Sequence, residues 1–338
     1  MLQTTKIYII LRRNILRKAK HMRETPRKNK IKKFIFLLIL LIIISYFMFN
    51  DQIKYGFKSI QTSTTSEESA INTEDSAEEN TQQQKDVVVE SSEDEDVKNL
   101  IENVIRNKNL NENNFSFFYY NTKNNKYYFY NKDTYFTAAS TIKVPVAMYY
   151  YDKINNGKLT SKTKLLYTQD CYEEGSGTTA SRYSYGESIP IDFLLNQSIV
   201  NSDNTAVNVL VKNLGQTQYR YDIAKYSSKE LSEDFYKNNI ISASYGYDVI
   251  NYLYKNIENY STLIQDMKNS SMGQYLKKYI KDYEIAHKYG SYNGYVHDYG
   301  IVFTDTPYLI GIFTKNIPNS DELIASISSD VLNLTIDQ

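Results

Sequence analysis

The feature that most constrains this chain is an uncharged apolar run from Phe34 to Phe49. It is slightly shorter than the roughly 20 residues of a spanning helix, but Lys33 and Lys54 flank it and can snorkel toward the interfaces. Arg27, Lys28, Lys30, Lys32 and Lys33 precede it, and residues 1–33 carry Glu24 as their single acid. Positive charge stays cytoplasmic, so the run predicts a signal anchor with the basic tail 1–33 inside and everything after Phe49 outside. A cleaved signal peptide needs small residues at its cleavage site, and Tyr46, Phe47, Met48 and Phe49 supply none. A buried core helix fits poorly, because the run is apolar on every face.

Residues 50–95 are Ser, Thr, Glu, Asp and Gln with few large hydrophobes. Such a stretch cannot bury enough apolar surface to offset its ordering entropy. It reads as an acidic, self-repelling, disordered spacer. Folding is therefore left to residues 96–338. The formal net charge of zero hides this asymmetry between a basic tail and an acidic linker, and nothing in the pattern points to nucleic acid.

The 96–338 segment has an α+β pattern. Helical spacing runs through Val97, Leu100, Ile101, Val104 and Ile105. Two strand-like runs, 115–120 and 126–130, flank a polar turn in the manner of a hairpin. Helical stretches follow Ser140 and cover about 190–200, 205–214 and 242–258. Strand-like runs near 285–292, 297–304 and 307–314 precede a last helix from about 320. This order predicts one antiparallel sheet shared by N- and C-terminal strands, with a helical subdomain between them. The abundant tyrosines, 33 in all, suit strands and half-buried surfaces.

The single cysteine, Cys171, closes no intramolecular disulfide and belongs to no zinc spacing. Its bland reading is a small buried hydrophobe. His21, His287 and His297 are the only histidines, which leaves few candidates for a Ser-His-Asp enzyme.

Three short patterns carry the chemistry. In Ser140-Thr141-Ile142-Lys143, positions i and i+3 share a helix face, so the lysine lies one turn from the hydroxyl. A serine is a weak nucleophile until a neighbour takes its proton, and a lysine does so when desolvation lowers its pKa. A serine at a helix start also presents its own unpaired N–H to an oxyanion. Ser161 and Lys164 repeat the spacing in a polar stretch and serve as an internal control. Ser202-Asp203-Asn204 falls between two helical stretches, where the same residue types also serve as N-caps. Lys288-Tyr289-Gly290-Ser291 lies on a C-terminal strand, where a lysine attracts an anion and a glycine allows close backbone approach. Lys54-Tyr55-Gly56 repeats that pattern beside the membrane run.

In this order, the three patterns resemble the S-x-x-K, S-D-N and K-T-G set of class A β-lactamases and penicillin-binding proteins. The stretches Ala139–Pro145, Asn156–Leu159, Asn201–Ala206 and Ala286–Gly290 look like the corresponding parts of that superfamily. The resemblance covers roughly 96–338 and implies a β-lactamase/transpeptidase-like fold. It implies Ser140 as nucleophile, Lys143 as base or relay, and Ser202 as proton donor to the leaving nitrogen. Asn204 would orient Lys143 or the substrate amide. Lys288, with Tyr289 and Gly290, would bind the substrate carboxylate, and Lys288 would also tune Ser202. The backbone N–H groups of Ser140 and Ser291 would form the oxyanion hole, and no metal or organic cofactor is required.

Two departures stand out. Tyr289 replaces the usual Thr or Ser. Residues 216–241 lack the E-x-x-L-N loop whose glutamate activates the deacylating water in class A enzymes, leaving Glu230 and Glu233 as the candidates there. The expected partner is thus a β-lactam or D-alanyl peptide-like small substrate, with the cell wall nearby. Three functions follow: a β-lactam hydrolase, a slow-turnover penicillin-binding D-alanyl peptidase or wall esterase, and a non-catalytic wall-binding or sensing module.

Overall fold

The computed structural model describes residues 91–336, except 272 and 274. The basic tail, the apolar run 34–49, nearly all of the linker and Lys54–Gly56 therefore lie outside the described residues. Among those described, no helix is long and apolar enough to cross a membrane.

The domain opens with helix α1 (Glu95–Lys108). Asp94 caps it, its carboxylate accepting the Val97 N–H at 3.1 Å. Acids fill the first turn and bases the last, as the helix dipole favours. The first pairing, Glu93 beside Tyr127, precedes the expected start at Asp96. Then come β1 (Phe115–Asn121), β2 (Tyr127–Tyr130), β3 (Phe136–Thr137), a 3-10 turn (Ala139–Ile142) and α2 (Lys143–Asn155). A helical subdomain follows: β4 (Lys164–Leu166), α3 (Thr179–Arg182), β5 (Ser188–Pro190), α4 (Ile191–Val200), α5 (Asn204–Leu214), α6 (Gln218–Ala224), α7 (Glu233–Lys237), β6 (Ile240–Ile241), α8 (Ala243–Lys255) and α9 (Ser261–Lys268). The chain closes with β7 (Glu284–Tyr292), β8 (Tyr295–Phe303), β9 (Tyr308–Lys315) and α10 (Ser320–Ile336).

The principal sheet has the order β2-β1-β9-β8-β7 and is antiparallel throughout. N- and C-terminal strands meet where β1 pairs with β9, Phe117 opposite Ile312. Alternation sends successive side chains to opposite faces. Phe117, Tyr119, Ile310 and Ile312 pack with Val97, Ile101, Ile324 and Val331 of α1 and α10. Phe118, Tyr299, Ile301 and Phe313 pack with Val146, Ala147, Val209 and Val249 of the helical subdomain. Fully burying one such side chain stabilises by about 1.5–3 kcal/mol.

Residues 216–241 form two short helices, α6 and α7, where the sequence shows little hydrophobic periodicity. A buried polar staple holds them. The Arg220 guanidinium donates to the carbonyls of Phe235 (2.8 Å), Asn238 and Ile240 (3.3 Å), and it lies 4.3 Å from the Phe235 ring centroid.

Candidate active site

The nucleophile candidate sits on a strained turn. Ala139, just before Ser140, has φ of 48°, a left-handed conformation that costs a non-glycine residue on the order of 1–3 kcal/mol. The turn is pinned from β8. Tyr299 Oη donates to the Thr141 carbonyl at 2.8 Å, and His297 Nε2 bonds the Thr137 carbonyl at 2.8 Å. His297 Nδ1 accepts the Thr314 N–H at 3.1 Å, which fixes a neutral tautomer. Burial accordingly pushes its pKa down to about 4. This histidine is a structural strut. Gly290 of β7 passes directly against the same turn: a Cβ there would lie 3.0 Å from both the Ala138 carbonyl oxygen and the Ser140 nitrogen.

Lys143 begins α2, one turn after Ser140, and is only 3% exposed. Its Nζ donates to the Ser202 carbonyl (2.7 Å), Ser202 Oγ (3.2 Å) and Asn204 Oδ1 (2.8 Å). Burial lowers its pKa to about 8, against the opposing charges of Asp203 and Glu173.

Ser202, with φ of 53°, turns the chain between α4 and α5. The three residues of this pattern divide the work. Asp203 is the N-cap, accepting the Ala206 N–H at 2.9 Å and the Thr179 N–H at 2.9 Å. Ser202 and Asn204 are thereby left to face the lysines. Lys288, fully buried on β7, donates to Ser202 Oγ at 3.1 Å and to the Tyr289 carbonyl at 3.0 Å. Burial, with Lys143 close by, holds its ammonium well below the ordinary lysine range.

Ser140, Lys143, Asn204 and Ser291 line one cavity of about 410 Å³, together with Glu173, Val207, Asn208, Val211, Tyr219, Asn239 and Tyr292. Ser202 and Lys288 are buried and are not among its lining residues. The Ser161/Lys164 repeat is elsewhere, at the β4 edge, where the Ser161 carbonyl accepts the Asp192 N–H at 3.0 Å. Cys171 is buried and free, as a small hydrophobe would be.

Two groups of expected site residues lie outside the lining of this cavity. Lys288, Tyr289 and Gly290 are buried and are not among the residues that line the cavity. The Tyr289 ring folds over the ammonium, with Lys288 Nζ 4.0 Å from its centroid, a cation–π contact. It is 8% exposed and packs so tightly under Gly273 that a Cβ there would lie 2.2 Å from Tyr289 Cγ. Gly290 serves the fit between β7 and the Ser140 turn. Glu230 and Glu233 are likewise not in the cavity. Both are exposed. Glu233 sits in the first turn of α7, where the helix dipole favours an acid, and pairs with Lys237 at 2.8 Å. The 216–241 segment instead brings Tyr219 and Asn239 into the cavity.

The carboxylate that does line it is Glu173, from the loop before Ser202. No catalytic pattern in the sequence includes it. Its one local signal is a Tyr-Glu-Glu-Gly-Ser-Gly stretch, the composition of an exposed turn. Glu173 Oε1 accepts from Asn204 Nδ2 and Oε2 from Asn208 Nδ2, each at 2.9 Å.

Comparisons with known proteins bear on the family and the fold. The model of the family described as "Beta-lactamase enzyme family" matches residues 95–335. The structure of PBP-A superposes with a TM-score of 0.65 at 20% identity, covering 73% of this chain and 98% of that one. A mutant of PBP-A, solved as an acyl-enzyme complex with penicillin G, gives 0.62 at 20% identity over 73% and 98%. A β-lactamase from Chitinophaga pinensis gives 0.61 at 18% identity over 71% and 99%. A search of curated proteins returns no match. A family model covering more than half of the chain, on an α+β fold that gathers all three patterns, makes this protein a serine hydrolase of the β-lactamase enzyme family.

Proposed function

We propose that the protein is a membrane-anchored hydrolase that forms an acyl-enzyme at Ser140 with β-lactams or related amides. The observation that supports this most is the Ser202 hydroxyl, flanked by the Lys143 and Lys288 ammonium groups at 3.2 and 3.1 Å. Lys143, in its neutral form, takes the Ser140 proton as Oγ attacks the carbonyl carbon. The oxyanion is met by the Ser140 and Ser291 N–H groups. Ser202 passes a proton to the leaving nitrogen and is resupplied from the lysines. Asn204 holds Lys143 in place. The anchor is the run 34–49, which puts the enzyme outside the membrane facing the wall.

A second reading has one observation in its favour. Residues 216–241 contribute Tyr219 and Asn239 to the cavity and no glutamate, as in a slow-turnover penicillin-binding D-alanyl peptidase or wall esterase. Fluorescent penicillin and a chromogenic cephalosporin separate the readings. A hydrolase gives transient label and fast colour change; the slow enzyme gives lasting label and little colour. No label at any time would leave only a non-catalytic wall-binding module.

A further inference from the structure

Building on the acyl-enzyme reading, we infer that Glu173 is the general base that activates the deacylating water. Among the residues lining the cavity, Glu173 is the sole carboxylate, and Ser140 and Lys143 line the same space. About 410 Å³ leaves room beside an acyl group for a water, whose share of liquid volume is about 30 Å³.

Glu173 is held rather than merely near. Its backbone N–H donates to Thr205 Oγ1 at 3.1 Å, and that hydroxyl donates to the Glu173 carbonyl at 3.1 Å. These bonds clip the loop to the first turn of α5. Asn204 and Asn208, four residues apart on one face of α5, each donate an amide N–H to one carboxylate oxygen. A carboxylate oxygen has two acceptor sites, so each keeps one for water. Asn204 also accepts from Lys143 Nζ at 2.8 Å. The carboxylate is therefore one amide away from the lysine that serves Ser140. Tyr219, Asn239, Val207 and Val211, which also line the cavity, hold no comparable base.

The step balances. Glu173 removes a proton from water as the water oxygen bonds to the acyl carbon. The tetrahedral intermediate collapses with cleavage of the bond from that carbon to Ser140 Oγ. The proton returns from Glu173 by way of Lys143 to Ser140 Oγ. One water is consumed and one free acid is released. The base thus comes from the loop before the second pattern, which resolves the lack of a glutamate in residues 216–241.

The test uses the full-length chain in detergent, labelled with fluorescent penicillin and then chased. Glu173→Gln is expected to take up label within about threefold of wild type and to lose it on the order of 100-fold more slowly, as loss of a general base predicts. Glu174→Gln, at the neighbouring residue that does not line the cavity, is expected to release label at the wild-type rate. Hydroxylamine, which needs no base to cleave an ester, is expected to strip both proteins equally. Equal spontaneous release from wild type and Glu173→Gln would overturn the assignment. So would a matching slowdown with hydroxylamine, since a structural fault would affect both nucleophiles. Failure of the wild type to take up label would overturn the acyl-enzyme reading itself, and this assignment with it.

Discussion

Lys143 and Lys288 reach the same Ser202 hydroxyl, at 3.2 and 3.1 Å. Both are buried, and both are pushed below the ordinary lysine pKa by that burial. Two ammonium groups this close repel strongly where water is excluded. The arrangement lowers the cost of keeping a lysine neutral at moderate pH, which a lysine base requires.

The first prediction concerns pH. With Lys143 at about 8, its neutral fraction grows about tenfold per pH unit below that value and saturates above it. Acylation rates measured from pH 6 to 9 should follow this curve. A flat profile would exclude Lys143 as the base.

The same shift has a consequence for stability. Between about 8 and 10.5 the unfolded Lys143 binds more protons than the folded one. Stability should therefore rise with pH across that window. Lys143→Met should reduce the slope in urea unfolding measured from pH 7 to 10, and an unchanged slope would contradict the assignment.

Tyr289 caps Lys288 and keeps it from the cavity. Tyr289→Thr should uncover the ammonium and tighten the KM for anionic β-lactams by about tenfold, or about 1.4 kcal/mol. It should also lower stability by about 2–4 kcal/mol through the space left behind. A KM that does not fall would mean Lys288 remains inaccessible for another reason.

Gly290 is the contact between β7 and the nucleophile's turn. Gly290→Ala places a carbon 3.0 Å from the Ser140 nitrogen. Overpacking of this kind costs about 1–3 kcal/mol. Acylation should fall at least tenfold while unfolding remains cooperative, as stopped-flow labelling and thermal melts would show.

Much of this was legible in sequence, for physical reasons. The sheet was visible because β1 and β9 are largely apolar and aromatic runs bounded by polar turns, while β7 and β8 mix aromatic and β-branched residues with polar ones in strand-like runs. The three patterns were visible because Ser140 and Lys143 need only helical spacing to share a face. The helices α6, α7 and α9 were not expected. Two of them are short, and α6 buries Arg220 and Ile223 rather than an apolar stripe. A stapling arginine leaves no trace in hydrophobicity. Glu173 was missed because its meaning depends on Asn204, 31 residues away in sequence. Tyr289 was marked as a departure, but nothing local shows that its ring closes over Lys288.

Arg220 offers a check on that staple. Arg220→Met would leave the carbonyls of Phe235, Asn238 and Ile240 without their donor. Leaving buried acceptors unsatisfied costs about 1–3 kcal/mol each at most, and relaxation of the loop recovers part of that. The expected net loss, about 2–4 kcal/mol, would be read from the denaturant midpoint. A change under about 0.5 kcal/mol would place the segment's stability elsewhere.

Peptide mass mapping of the chain after brief exposure to labelled penicillin bears most directly on the mechanism. The adduct should fall on the peptide containing Ser140, vanish in Ser140→Ala and persist in Ser161→Ala. An adduct that survives Ser140→Ala, or that Ser161→Ala removes, would contradict the site described above.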